Sequence, residues 1–243
     1  MVTYVMVKLS QEQVKVRQFI TQFFVDTGRA PFLTEIVSRL SIEQSQSQHL
    51  LKSLAENKAL VLHPHTAEVW IAHPFSASPN SFWIEEINSR SYGWWSNCAW
   101  CAMGVAALVA KPVRIVSRWG GEGDVFEIEI KNGRLEKTDF VIHFATPVAK
   151  LWDNVLHSCS MMLPHKSESM LDQWCQRHGF EKGACVPAEK CWELSQKWYG
   201  DYLNPDWNRK SPEEVQLFFE SIGLDLFFQS TKSARSESLI KDK

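Results

Sequence analysis

The residues best suited to chemistry are two cysteines three apart, Cys98 and Cys101, at the head of the run Cys98-Ala-Trp-Cys101-Ala-Met-Gly-Val-Ala-Ala-Leu108. Tyr92, Trp94, Trp95 and Trp100 stand just before or between them. The Ala-rich run favours helix, and on a helix positions i and i+3 share a face, so both thiols can address one ligand. A third cysteine, Cys159, lies far away in sequence in another apolar setting, Leu156-His-Ser-Cys159-Ser-Met-Met162. Two or three thiols gathered beside aromatic walls suit a soft, thiophilic metal or an electrophile.

Other uses of cysteine fit less well. A zinc site usually needs a second closely spaced Cys or His pair, and Cys185 to Cys191 is too wide for that motif. A thioredoxin-like centre places its Cys-x-x-Cys just after a strand of a βαβ unit, which the aromatic approach Tyr92-Gly-Trp-Trp95 does not resemble. Free cysteine is among the most buried residue types, so Cys175, Cys185 and Cys191 are expected in the core. Trp94, Trp95 and Trp100 can wall a pocket against water, although buried tryptophan is more often simply core.

The 243 residues suffice for one large domain or two modest ones, and 44 % hydrophobic with 22 % charged residues is an ordinary globular balance. A net charge of −2 gives no whole-molecule field to attract nucleic acid. The start, Met1 to Ser10, lacks the basic, apolar and small-residue parts of a secretion signal. No apolar run of about 18 residues suggests a membrane span. Six cysteines in so long a chain make no dense disulfide framework, and a reducing cytoplasm is the expected compartment.

The elements that must position these cysteines follow from periodicity. Val14, Val16, Phe19, Ile20, Phe23 and Phe24 form the stripe of a first helix, stopped by Gly28 and Pro31. A second helix covers about 33–40. Ser41-Ile-Glu-Gln44 reads as a capping box for a third, which carries Leu50, Leu51 and Leu54. A hairpin over 59–72 then completes a winged-helix-like pattern. DNA readers of that kind show a basic footprint, but the third helix sets Glu43 and Glu56 against only Lys52 and Lys58. A structural module without nucleic-acid binding is therefore expected.

Residues 73–80 are rich in Pro, Ser and Ala and read as a linker. Strands are expected over 113–118, 125–130 and 139–144, with Asn132-Gly133 as a hairpin turn. Helices are expected at about 167–178, 187–199 and 212–222, and the polar stretch 230–243 as a disordered tail. The fold class is α+β: a winged-helix-like three-helix module over 1–75, then a mixed α/β catalytic domain over 76–229 with an antiparallel sheet flanked by helices.

From about residue 10 to 225 the chain resembles the organomercurial (alkylmercury) lyase family. Three segments carry the likeness. Cys98-Ala-Trp-Cys101 with its Ala-Leu run and Lys111-Pro-Val-Arg-Ile-Val-Ser117 is similar to the segment holding the family's first catalytic cysteine. His157-Ser-Cys159, fifteen residues before Trp174 and followed by Arg177-His-Gly179, is similar to the segment with the second. Trp198-Tyr-Gly200 and Pro205-Asp-Trp-Asn-Arg-Lys-Ser-Pro-Glu-Glu214 resemble the closing helices.

The resemblance implies protonolysis of a carbon–mercury bond, giving hydrocarbon and mercury(II). Cys98 would be the first thiolate and Cys159 the second. The family carries an aspartate three residues after its first cysteine, and Cys101 stands in that slot. There it would serve as proton donor or as a third ligand to mercury(II), since a thiol with a pKa of about 8.5 is mostly protonated at neutral pH. A gapped alternative matches Cys101 to the first cysteine and leaves Gly104 in the aspartate slot. His157 and Glu122 are reserve proton donors. No cofactor is implied. Partners would be a small organomercurial, and external thiol, glutathione or a mercuric reductase as acceptor of the mercury(II) product. Non-catalytic trapping of a soft ion, or a metal-responsive DNA-binding regulator, are the competing functions.

Overall fold

A computed structural model of the chain describes residues 8–89, 92–147 and 150–224. The first helix, α1 (Gln11–Thr27), starts at a capping box in which the Ser10 hydroxyl accepts the Gln13 N–H and the Gln13 amide accepts the Ser10 N–H. Its stripe Val16, Ile20 and Phe24 is buried. Helices α2 (Leu33–Leu40) and α3 (Gln44–Glu56) pack on it and on each other. The expected capping box at Ser41 does not form. The chain leaves α2 through a left-handed residue, and Ser41 (φ 52°) takes that position. The start of α3 moves on to Glu43, whose side chain makes no cap.

Strands β1 (Val61–Leu62), β2 (Val69–Ala72), β3 (Phe75–Ser76), β4 (Phe82–Glu86) and β5 (Gly93–Ser96) lead into the central helix α4 (Ala99–Val109). After it come β6 (Val113–Arg118), a 3-10 turn at Trp119–Gly121, β7 (Val125–Lys131) and β8 (Arg134–Leu135). These eight strands make one antiparallel sheet in the order β1-β2-β3-β5-β4-β6-β7-β8. Asn132 (φ 50°) and Gly133 (φ 70°) make the β7–β8 turn, both left-handed as a two-residue hairpin turn requires.

Residues 73–80 are no free linker. Phe75 is fully buried, stacks on Phe24 at 5.1 Å, and belongs to a strand that pairs with β2 on one side and β5 on the other. Pro and Ser suggested a loop, but one aromatic residue with a pocket to fill outweighs them. The hairpin after the three helices therefore shares its sheet with the strands that precede α4.

A second antiparallel sheet sets β9 (Val141–Phe144) between β10 (Pro164–His165) and β11 (Ala184–Pro187). Helices α5 (Val155–Ser160), α6 (Glu168–His178), α7 (Ala188–Tyr199) and α8 (Pro212–Ser221) complete the α+β fold. The expected disordered tail lies outside the described residues. Among those residues no helix is long and apolar enough to cross a membrane. Buried on nearly every side, α4 packs against α7 and the sheet. Gly104 permits that approach: a Cβ there would lie 2.3 Å from the Tyr199 ring.

Two histidines are enclosed in the second sheet. His143 and His165 lie with ring centres 6.1 Å apart, both beside Trp174. His143 Nε2 accepts the Gly183 N–H, whereas His143 Nδ1 and His165 Nε2 are buried without a partner. Burial pushes both rings down to about 4, aided at His143 by the charge repulsion of His165. An unfolded histidine binds its proton near pH 6.5 and these cannot, so their contribution is intact above that pH and is lost as pH falls toward 4. Each ring is worth up to about 3 kcal/mol over that window. Urea midpoints should therefore drop between pH 6.5 and 5, before most carboxylates titrate. A flat profile there would contradict neutral burial of the two rings.

Candidate active site

The N-terminus of α4 is built around sulfur. Cys98 is its capping residue, in extended conformation (φ −156°, ψ 168°), and its Sγ accepts the backbone N–H of Cys101 at 3.2 Å. The next N–H, of Ala99, donates to the carbonyl of Met162 at 3.1 Å. That bond ties α4 to the chain just after α5, the short helix carrying Cys159, which is capped by Asn154 through the His157 N–H. Cys98, Cys101 and Cys159 are thereby brought together, and the Cys98 thiol makes hydrogen bonds with both others.

Two residues that sequence reasoning missed complete the cluster. His73, from the β2–β3 turn, places Nδ1 3.5 Å from Cys101 Sγ, and Tyr199, on α7, places its hydroxyl 3.4 Å from the same sulfur. The ligand-capable atoms of His73, Cys101 and Cys159 all lie within 4.8 Å of one another. No spacing rule points to His73 in a segment that resembles a linker, nor to Tyr199 near the end of an ordinary amphipathic helix.

Of the three thiols, Cys101 is the one whose surroundings favour the thiolate. Hydrogen bonds from the thiols of Cys159 and Cys98, and then from His73, hold the Cys101 thiol well below its usual range against the opposing effect of burial. Its place in the first turn of α4 favours the thiolate further. Burial, first of all, pushes the Cys98 thiol up. Cys159 is pushed up chiefly by its hydrogen bond to Cys101, which needs the proton kept. Tyr199 is raised by burial and by the Cys101 charge, so its hydroxyl remains a donor.

Cys101 and Cys159 face a cavity of about 400 Å³, whereas Cys98 is fully buried behind them and does not line it. Trp100, Leu151, Trp152, Met162 and Trp198 supply apolar walls, and Arg17, Arg209 and Lys210 also line the cavity. Of Trp94, Trp95 and Trp100, only Trp100 is on its wall. Trp94 is core, donating to the Phe24 carbonyl, and Trp95 packs on Trp83. Arg17 carried a signal in the sequence: it sits three residues before Ile20 and seven before Phe24, a charge on an apolar stripe.

The remaining candidates lie elsewhere. His157 is exposed on α5, Glu122 binds Arg177 and His178, and neither lines the cavity. Cys175, Cys185 and Cys191 are also off its wall, with Cys175 and Cys191 buried.

Thiolate absorbance near 240 nm at neutral pH should report one charged sulfur per chain, lost in Cys101→Ser and retained in Cys175→Ser. Loss in Cys98→Ser with retention in Cys101→Ser would put the charge on the wrong residue.

Against known proteins, the family profile described as alkylmercury lyase matches residues 75–200. No curated protein matches the chain. The fold is similar to that in the crystal structure of the mercury-bound form of MerB2, with a TM-score of 0.65 at 20 % identity. That likeness covers 81 % of this chain and 93 % of the other.

Proposed function

Because the chain belongs to the alkylmercury lyase family, we propose that it cleaves carbon–mercury bonds through the cluster of Cys98, Cys101 and Cys159, without a resident cofactor. The observation that carries this reading is the convergence of three mutually hydrogen-bonded thiols, two of them opening onto a cavity with apolar walls. Mercury(II) is soft and prefers thiolates to carboxylate or imidazole ligands.

The proton inventory suffices for the reaction. The Cys101 thiolate bonds to the mercury of R–Hg–X and X⁻ leaves. The Cys159 thiol then gives up its proton and its sulfur joins the metal, which raises electron density on mercury and weakens the carbon–mercury bond. Carbon takes the proton that Cys159 loses and the hydrocarbon R–H leaves, while the Cys98 thiol behind them keeps its proton and its hydrogen bonds to both sulfurs. Mercury(II) remains on Cys101 and Cys159. A thiol network thus stands in for the aspartate of the family, with Cys101 taking the role of first thiolate that the resemblance gives to Cys98. External thiols, in a reducing cytoplasm, then strip the product; glutathione or a mercuric reductase would accept it.

Retention is the second reading. His73, Cys101 and Cys159 form a compact three-ligand set, which favours slow product release and would make the protein a mercury(II) trap.

Headspace hydrocarbon from phenylmercury with excess thiol tests these assignments. Cys101→Ser and Cys159→Ser should fall to background. Cys98→Ser, which alters a hydrogen bond to Cys101 without touching the substrate, should lose about 10-fold, the worth of one hydrogen bond to a charged group. Cys101→Asp, with Cys98 then free to act as first thiolate, should retain turnover and release mercury(II) faster. Full activity in Cys101→Ser would return the first role to Cys98, and unchanged activity in all three serine variants would end the thiol mechanism. Mercury(II) bound one to one without hydrocarbon from the wild type would leave the trap.

A further inference from the structure

The cavity onto which Cys101 and Cys159 open is also lined by four cationic side chains: Lys58, which donates to the Trp152 carbonyl, and Arg17, Arg209 and Lys210. Arg17 on α1 is only 5 % exposed. Its guanidinium lies 3.5 Å from the centre of the Trp207 ring and 4.3 Å from that of Tyr202. It donates to the Tyr202 carbonyl over a long 3.4 Å and meets the Tyr202 side chain, although a guanidinium carries five N–H donors. Arg209 lies over Trp152 at 5.6 Å and Lys210 over Trp198 at 5.5 Å. Among the described residues neither Arg17, Arg209 nor Lys210 takes part in an ion pair. Asp201, the acidic group that acts on Arg17, is exposed, and Asp153 at the cavity wall is exposed as well.

A buried charge without a partner is costly, and Arg17 and Arg209 are near enough to repel each other. Aromatic faces offset part of this cost but leave the N–H fork unfilled. A planar anion filling that fork would relieve both penalties, and carboxylate matches it two bonds at a time. The apolar walls limit the ligand to one with an aryl or alkyl body and a single anionic end.

We infer that the cavity selects mercury compounds bearing a carboxylate, with Arg17 gripping it and Arg209 and Lys210 in support. The carboxylate can sit on the organic group or on the thiol that arrives with the mercury. The inference rests on the proposed function only in placing mercury at Cys101 and Cys159.

The test uses the full chain and two matched pairs of probes. The first pair is 4-carboxyphenylmercury and phenylmercury. The second is methylmercury bound to 3-mercaptopropionate or to 2-mercaptoethanol. Binding is read by tryptophan fluorescence and cleavage by hydrocarbon or benzoate release. A charge-assisted hydrogen bond predicts about 10- to 100-fold tighter binding of the carboxylated member, in KM rather than kcat. A preference in the first pair puts the carboxylate on the organic group, and in the second on the thiol. Arg17→Met should bring the ratio toward one. Lys210→Met, at a less buried position, should lower it in part and serves if Arg17→Met does not fold.

Equal binding within both pairs overturns the inference. A preference that survives both substitutions overturns it too. Preference without hydrocarbon release leaves the inference standing and removes the lyase reading, whereas release without preference does the reverse.

Discussion

A sulfur held away from water among groups that favour its ionised form is the constraint around which the site is arranged. Moving an ion out of water is unfavourable by several kcal/mol unless donors replace the lost solvent. Around Cys101 those donors come from four parts of the chain: Cys98 at the head of α4, Cys159 on α5, His73 in the β2–β3 turn and Tyr199 on α7. Each must be placed within a few tenths of an ångström of hydrogen-bonding range. The bond from Ala99 to Met162 supplies the register between the first two helices. Gly104 supplies the close approach that brings Tyr199 to the cluster.

The N-terminal helices have a larger part in this arrangement than a structural support needs. Phe75 welds α1 to the sheet, and the sheet continues through β3 into β5, the strand that ends two residues before Cys98. His73 and Arg17 both come from this half of the chain, one reaching the sulfur and the other the cavity. The surface that sees a ligand is therefore assembled from both halves. Apolar walls exclude water and strengthen every electrostatic interaction inside, so the same packing that protects a thiolate makes the unpaired cations costly.

Most of the regular elements were legible because their information is local. α1, α6, α7 and α8, the strands β6, β7 and β9, and the Asn132-Gly133 turn follow from periodicity, caps and turn residues. β4 and β5 were hidden in an aromatic-rich run without clear alternation, since Trp83, Trp94 and Trp95 pack on both faces of the sheet. Ser41 misled because capping chemistry and left-handed turn chemistry use the same small polar residues, and the length of the connection decides between them.

The amino-acid sequence by itself determined which atoms were available: two cysteines one helical turn apart and a third in a distant apolar segment. It determined the α+β class too, through patterns that act over a few residues. Only the tertiary structure decided which sulfur has surroundings that favour a charge and which faces the cavity. A pKa is a sum over neighbours in space, and His73, Tyr199 and Cys159 approach Cys101 from 28, 98 and 58 positions away in the chain. Arg17 changes meaning for the same reason. Along the sequence it is one charge on an amphipathic helix, and in the fold it is a buried cation facing a cavity that thiols also line.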